Sequence, residues 1–175
     1  INLVPLATFA METYKDDDCK EFLPKLSGGA AAMDEKTQRL TSQMHKAIAV
    51  IQFKLESQLF KKHPEWKMKD RCLFDHIDYR KGKVEIYGKE YDMTSCHFPT
   101  IDPDNPDKLS EEEEILIQKL HHSFMVCEKL HKHINVMLQH GCMYAIFNNN
   151  LLFHASCPLN EDGSLKEVEI YPGKK

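Results

Sequence analysis

The sequence predicts an α+β fold: two long helices, a small antiparallel hairpin or meander near residues 76–93, and a short buried sheet over residues 143–171. Three patterns carry that expectation. Apolar residues recur at helical spacing from Leu40 to Leu59 and again from Leu116 to Leu138. Polar and apolar residues alternate between Ile77 and Met93. Two short apolar runs flank Asn148-Asn149-Asn150.

Leu3, Leu6, Phe9, Ala10 and Tyr14 share one helical face, so a short helix is expected over residues 2–14, with Asn2 as its cap and Pro5 tolerable in the first turn. Ser27-Gly28-Gly29-Ala30 reads as a flexible connection. Asp34 then opens the first long helix, which must stop where His63 meets Pro64. Its main apolar arc is Leu40, Met44, Ala47, Ile48, Ile51, Leu55 and Leu59. Ala49, Val50, Phe53 and Phe60 lie on the reverse, so a packing partner is expected on each side.

Lys81-Gly82 and Gly88-Lys89 punctuate the alternating stretch, as turns of a surface meander would. The prolines of Phe98–Pro106 exclude a helix or a central strand there. Ser110 and Glu113 form a capping box that starts the second long helix, which is expected to run to Gly141 with a core stripe of Leu116, Leu120, Phe124, Cys127, Ile134 and Leu138. His131 falls within that stripe, and burial is expected for it. Met143–Phe147 and Leu151–His154 read as buried strands joined by an asparagine turn. Asn160–Gly163 reads as a further turn and Val168–Tyr171 as a last strand. The chain divides into a mainly helical region with a surface hairpin, residues 1–142, and a strand region, residues 143–175.

Composition narrows the function classes. With 23 basic against 27 acidic residues and a formal charge of −4, there is no basic field to attract a nucleic-acid backbone. The apolar runs are short and interrupted, so no membrane partner is expected and the protein reads as soluble and intracellular. The chain opens at Ile1 directly into structured-looking sequence, as a piece of something longer would. Six cysteines at positions 19, 72, 96, 127, 142 and 157 show no paired metal-binding spacing and read as reduced thiols.

Ten histidines invite a metal hypothesis, but His121 with His122 and His131 with His133 diverge around a helix and cannot clamp one ion. The acidic run Glu111–Glu114 is accounted for by the positive end of a helix. No phosphate-cradling glycine loop and no nucleophile elbow is present. His45 and Lys46 read as packing or interface residues of the first long helix. His154 stands apart, because it closes an apolar strand and precedes a turn through Ala155-Ser156-Cys157-Pro158, at the kind of strand end where α/β folds gather ligands.

The stretch Met143–Gly163 resembles a signature segment of the class III fructose-1,6-bisphosphatases. The blocks Ile1–Glu12, Met44–Glu56 and Phe98–Pro103 are similar too, in the same order, so the resemblance covers nearly the whole chain. It implies a cytoplasmic enzyme that removes the 1-phosphate of fructose 1,6-bisphosphate in gluconeogenesis. The core it implies is similar to the calcineurin-like metallophosphatase sandwich, to which residues 143–175 would contribute strands. The implied cofactor is a pair of divalent ions, with manganese the expected metal, and His154 is the implied metal ligand, with Ala155 standing where related phosphatases carry glycine.

The family's other site motifs are absent from these 175 residues, and no catalytic residue is assigned. The segment alone is therefore expected not to turn over substrate. Its expected partners are fructose 1,6-bisphosphate, the rest of the parent chain and, in a homo-oligomer, other copies. The competing expectation is a non-catalytic scaffold or dimerisation module built on the doubly apolar helix 34–63.

Overall fold

The first helix, α1 (Val4–Thr13), forms where its apolar spacing places it, with Leu3 as the capping residue in place of Asn2. Asn2 still contributes, since its Oδ1 accepts from the Val4 amide at 3.0 Å. The computed structural model describes residues 2–24, 33–167 and 173; the expected connection at Ser27–Ala30 and the expected last strand at Val168–Tyr171 lie outside them. The chain forms two units, residues 1–127 and 128–175.

Unit one is built around α2 (Glu35–Lys62). Asp34 caps it as expected, accepting from the Thr37 amide at 3.0 Å, and it stops at His63, ahead of Pro64. The face it buries is a correction to the sequence reading. Gln43, Lys46, Ala47, Val50, Ile51, Lys54 and Ser57 are buried, whereas Leu55 and Leu59 are 37% and 44% exposed. At about 100° per residue the buried arc is rotated by roughly 90° from the centre of the expected apolar arc. The reason lies in two lysines whose ammonium groups find acceptors inside, which hydropathy alone counts as surface. Ala47 and Ile51 join Leu6, Phe9, Ala10 and Tyr14, together with Cys19 and the α3 residues Leu116 and Leu120 (α3, Glu111–Met125), in one apolar core.

After single 3₁₀ turns at Pro64–Trp66, Lys69–Arg71 and Leu73–His76, the meander appears as β1 (Ile77–Asp78), β2 (Lys83–Ile86) and β3 (Lys89–Asp92), all antiparallel in that order. Ile86 pairs with Lys89, so Tyr87 and Gly88 alone make the turn, at φ of 50° and 74°. That double positive φ matches the right-handed twist of the flanking strands. The proline-rich run from Phe98 is a loop, closed by an isolated bridge between Asp102 and Asn105. Ser110 then starts α3 with both halves of its capping box in place.

The second long helix is broken, in contrast to expectation. α3 ends at Met125, and α4 begins at Glu128 and runs to His140. The Val126 and Cys127 amides both reach back to the Phe124 carbonyl, which tightens the last turn. No proline or glycine marks this point; Ser123, Phe124, Val126 and Cys127 are merely weak helix formers, a signal that periodicity overrides. Of the expected stripe only Leu116 and Leu120 are buried. Phe124, Ile134 and Leu138 are 45%, 43% and 77% exposed, and His131 is exposed as well.

Unit two carries α4 and the hairpin of β4 (Tyr144–Phe147) and β5 (Asn150–Phe153). Asn148 and Asn149 make the turn at φ of 48° and 59°, the left-handed geometry that asparagine tolerates. The strands are real but not buried, which corrects the expected buried sheet: their large apolar side chains are 45–69% exposed. Among the described residues the two strands pair only with each other.

Candidate functional site

His154 lies one residue beyond β5, because the register pairs Tyr144 with Phe153 at the hairpin's open end. It is exposed, and with Met143, Tyr144, Phe153, Cys157 and Leu165 it lines a cavity of about 520 Å³. The cavity wall is mostly apolar, and His154 and Cys157 are its soft or nitrogen donors. A divalent ion needs several convergent donors. Among the described residues no three His, Cys, Asp or Glu side chains gather to supply them. The residues present therefore do not make a metal site by themselves. His121, His122, His131 and His133 are all exposed and form no such group.

Elsewhere the structure builds two buried charge centres on α2, with their lysines eight residues apart. The first joins Lys46 and Asp17. Lys46 is 1% exposed and its Nζ donates to Asp17 Oδ2 at 2.6 Å. The ammonium sits 5.4 Å, 5.5 Å and 6.0 Å from the ring centres of Tyr14, Phe98 and Phe22, close enough for three aromatic faces to share its charge. His97 Nδ1 lies 3.0 Å from the same Asp17 oxygen. Gln43 Nε2 donates to the Tyr14 and Asp17 carbonyls at 2.7 Å and 3.1 Å.

Burial pushes the Asp17 carboxyl up, but hydrogen bonds from Lys46, the Cys19 amide and His97 outweigh it and hold the group well below the usual carboxylate range. Next to it, burial and the Asp17 charge push the Cys19 thiol up to about 12. The Tyr14 phenol is likewise raised, first by burial and then by the nearby Glu113 charge.

The second centre joins Lys54 to Glu113. Lys54 Nζ donates to Glu113 Oε2 at 2.7 Å and to the Thr100 carbonyl at 2.6 Å. The same Glu113 oxygen accepts from the Ser110 amide at 2.8 Å, so the capping carboxylate and the ion-pair carboxylate are one group. The sequence reading missed both centres. The available signal was a lysine pair at i, i+8, two turns apart on one face and flanked by Ala47, Val50 and Ile51.

Each centre ties a loop to α2, the first through Asp17 and the second through the Thr100 carbonyl. A cavity of about 360 Å³ beside the Tyr87-Gly88 turn is lined by Arg71 and His76 together with Glu56, Asp70 and Glu85. Among the described residues no helix is long and apolar enough to cross a membrane.

The chain belongs to a family of sugar bisphosphatases: residues 1–175 match the family described as Firmicute fructose-1,6-bisphosphatase. The relatives carry the name fructose-1,6-bisphosphatase class 3. The protein of Parabacteroides distasonis is 54% identical over 170 residues, covering 97% of this chain and 26% of its own length. That of Bacteroides thetaiotaomicron is 50% identical over 179 residues, covering 100% and 27%. That of Clostridium novyi is 49% identical over 178 residues, covering 99% and 26%. The chain thus spans about a quarter of the length of the curated relatives it matches. No solved structure matches it.

Proposed function

We propose that this chain is one part of a cytoplasmic fructose-1,6-bisphosphate 1-phosphatase, a gluconeogenic enzyme whose two-metal, manganese-dependent site is assembled in a calcineurin-like metallophosphatase core. The observation that supports this is the match of all 175 residues to one family, at 54% identity to a relative of that name.

The part this chain plays is narrow. His154 offers one imidazole nitrogen at the open end of the hairpin, and the remaining metal ligands and the substrate contacts belong to the rest of the parent. α1, α2 and α3 supply a rigid body tied by the Lys46 and Lys54 centres. One imidazole cannot hold two ions, so the 175 residues alone release no phosphate from fructose 1,6-bisphosphate.

The test compares the full-length parent with its His154→Ala variant for manganese-dependent phosphate release and for bound metal by mass spectrometry. Turnover lowered by orders of magnitude, with less bound metal and an unchanged circular-dichroism spectrum, supports the reading. Unchanged turnover and metal content would instead support a scaffold or dimerisation module, which the exposure of Leu55 and Leu59 along α2 favours.

A further inference from the structure

Helix α4 is amphipathic yet buries none of its residues. Leu130, Ile134, Met137 and Leu138 fall within one arc of about 100°, and the last three are 43%, 71% and 77% exposed. Four large apolar side chains in a single stripe are unusual on a free surface and mark a face that something covers. The hairpin in the same unit has the same character on both of its faces. Its register sets Ile146 against Leu151 on one face, and Ala145 against Leu152 on the other, with Ile146, Leu151 and Leu152 52–69% exposed. Strands apolar on both faces belong between two layers.

The family match limits what the cover is. About three-quarters of each relative's length lies outside the region this chain matches. A second copy related by a twofold axis buries one patch against itself and leaves the opposite hairpin face open. Polypeptide from the rest of the parent has the length to cover both faces and the helix. We propose that α4 is a docking helix whose Leu130, Ile134, Met137 and Leu138 stripe packs against polypeptide of the same parent protein outside these 175 residues. This rests on the reading of the chain as part of a longer bisphosphatase, but it is tested by protection rather than turnover, so the two fail separately.

The experiment measures hydrogen exchange across residues 129–140 in the full-length parent and in its Met137→Glu and Met137→Leu variants, with sedimentation of each. In the parent these amides exchange at least roughly tenfold more slowly than in Met137→Glu, Met137→Leu keeps the protection, and all three sediment alike. Equally fast exchange in the parent and in Met137→Glu overturns the proposal. So does a parent oligomer that Met137→Glu dissociates, which would assign the stripe to a second copy.

Discussion

Lys54 Nζ rests 2.7 Å from Glu113 Oε2, with the two side chains 0% and 1% exposed, and so joins the middle of α2 to the first turn of α3. Desolvating both charges is costly, and the pair persists because each has a further partner: the Thr100 carbonyl for the lysine and the Ser110 amide for the glutamate. Removing one partner leaves the other charged and buried. Glu113→Leu or Lys54→Met alone should therefore lower the unfolding free energy by about 3–5 kcal/mol. The double variant Lys54→Met/Glu113→Leu should lose less than either single change, because no uncompensated charge remains. Urea unfolding of the four proteins measures the cycle, and additive losses would mean the two groups do not interact.

Asp17 contributes to the acid limb of the stability curve. Its carboxyl is held below its ordinary value in the folded chain, so the unfolded chain binds the more protons as pH falls and folding loses stability. The contribution is complete above the unfolded value of about 4 and is lost progressively as pH drops through the lower folded value. Asp17→Asn removes this dependence. The stability gap between wild type and Asp17→Asn should be widest at pH 6 and shrink steadily between pH 4 and pH 2, as followed by denaturant midpoints at each pH. A gap that stays constant over that range would show that the Asp17 charge, held by Lys46 and His97, is not the source.

The sequence announced what depends on local signals. The Asp34 cap, the stop before Pro64, the capping box at Ser110 and the asparagine turn of the hairpin are each fixed by neighbouring residues, and each is where the residue types place it. What it concealed depends on distant ones. Lys46 is indistinguishable from a solvated lysine until Asp17 and three aromatic rings meet it from other segments. The buried face of α2 could not be read from hydropathy, since the residues that turn it inward are charged. Leu151-Leu152-Phe153 shows the converse: an apolar run is evidence that a strand is covered somewhere, but not that its cover lies within the same 175 residues. His154 is legible as a strand-end histidine, and its chemistry is not, because among the described residues it belongs to no group of three ligating side chains.

The cysteines should sort by burial and by thiol acidity. Cys142 and Cys157 are exposed, whereas Cys19 and Cys72 are buried, and the Cys19 thiol is additionally pushed up to about 12 by burial and by the Asp17 charge. The thiolate is the species that alkylates, so Cys19 is doubly protected. Native labelling with iodoacetamide at pH 8, read by peptide mass spectrometry, should modify Cys142 and Cys157 first and leave Cys19 and Cys72 until denaturant is added. Early labelling of Cys19 would mean that the segment after α1 opens readily and that the Lys46 centre does not hold it.

Tyr87 occupies a turn position better suited to another residue. Its φ of 50° belongs to the left-handed region, and its side chain is 87% exposed, so it gives up little packing when replaced. Tyr87→Asn keeps the turn and relieves the backbone, and should raise the unfolding free energy by about 0.5 kcal/mol. Gly88→Ala is the opposite control. A Cβ there meets nothing within 4 Å, so any loss comes from its φ of 74° alone, and about 1 kcal/mol is expected. Thermal unfolding of the two variants should shift in opposite directions. If Tyr87→Asn also destabilises, the ring must be anchoring the wall of the cavity it shares with Arg71 and His76, and its exposed position would then reflect use rather than tolerance.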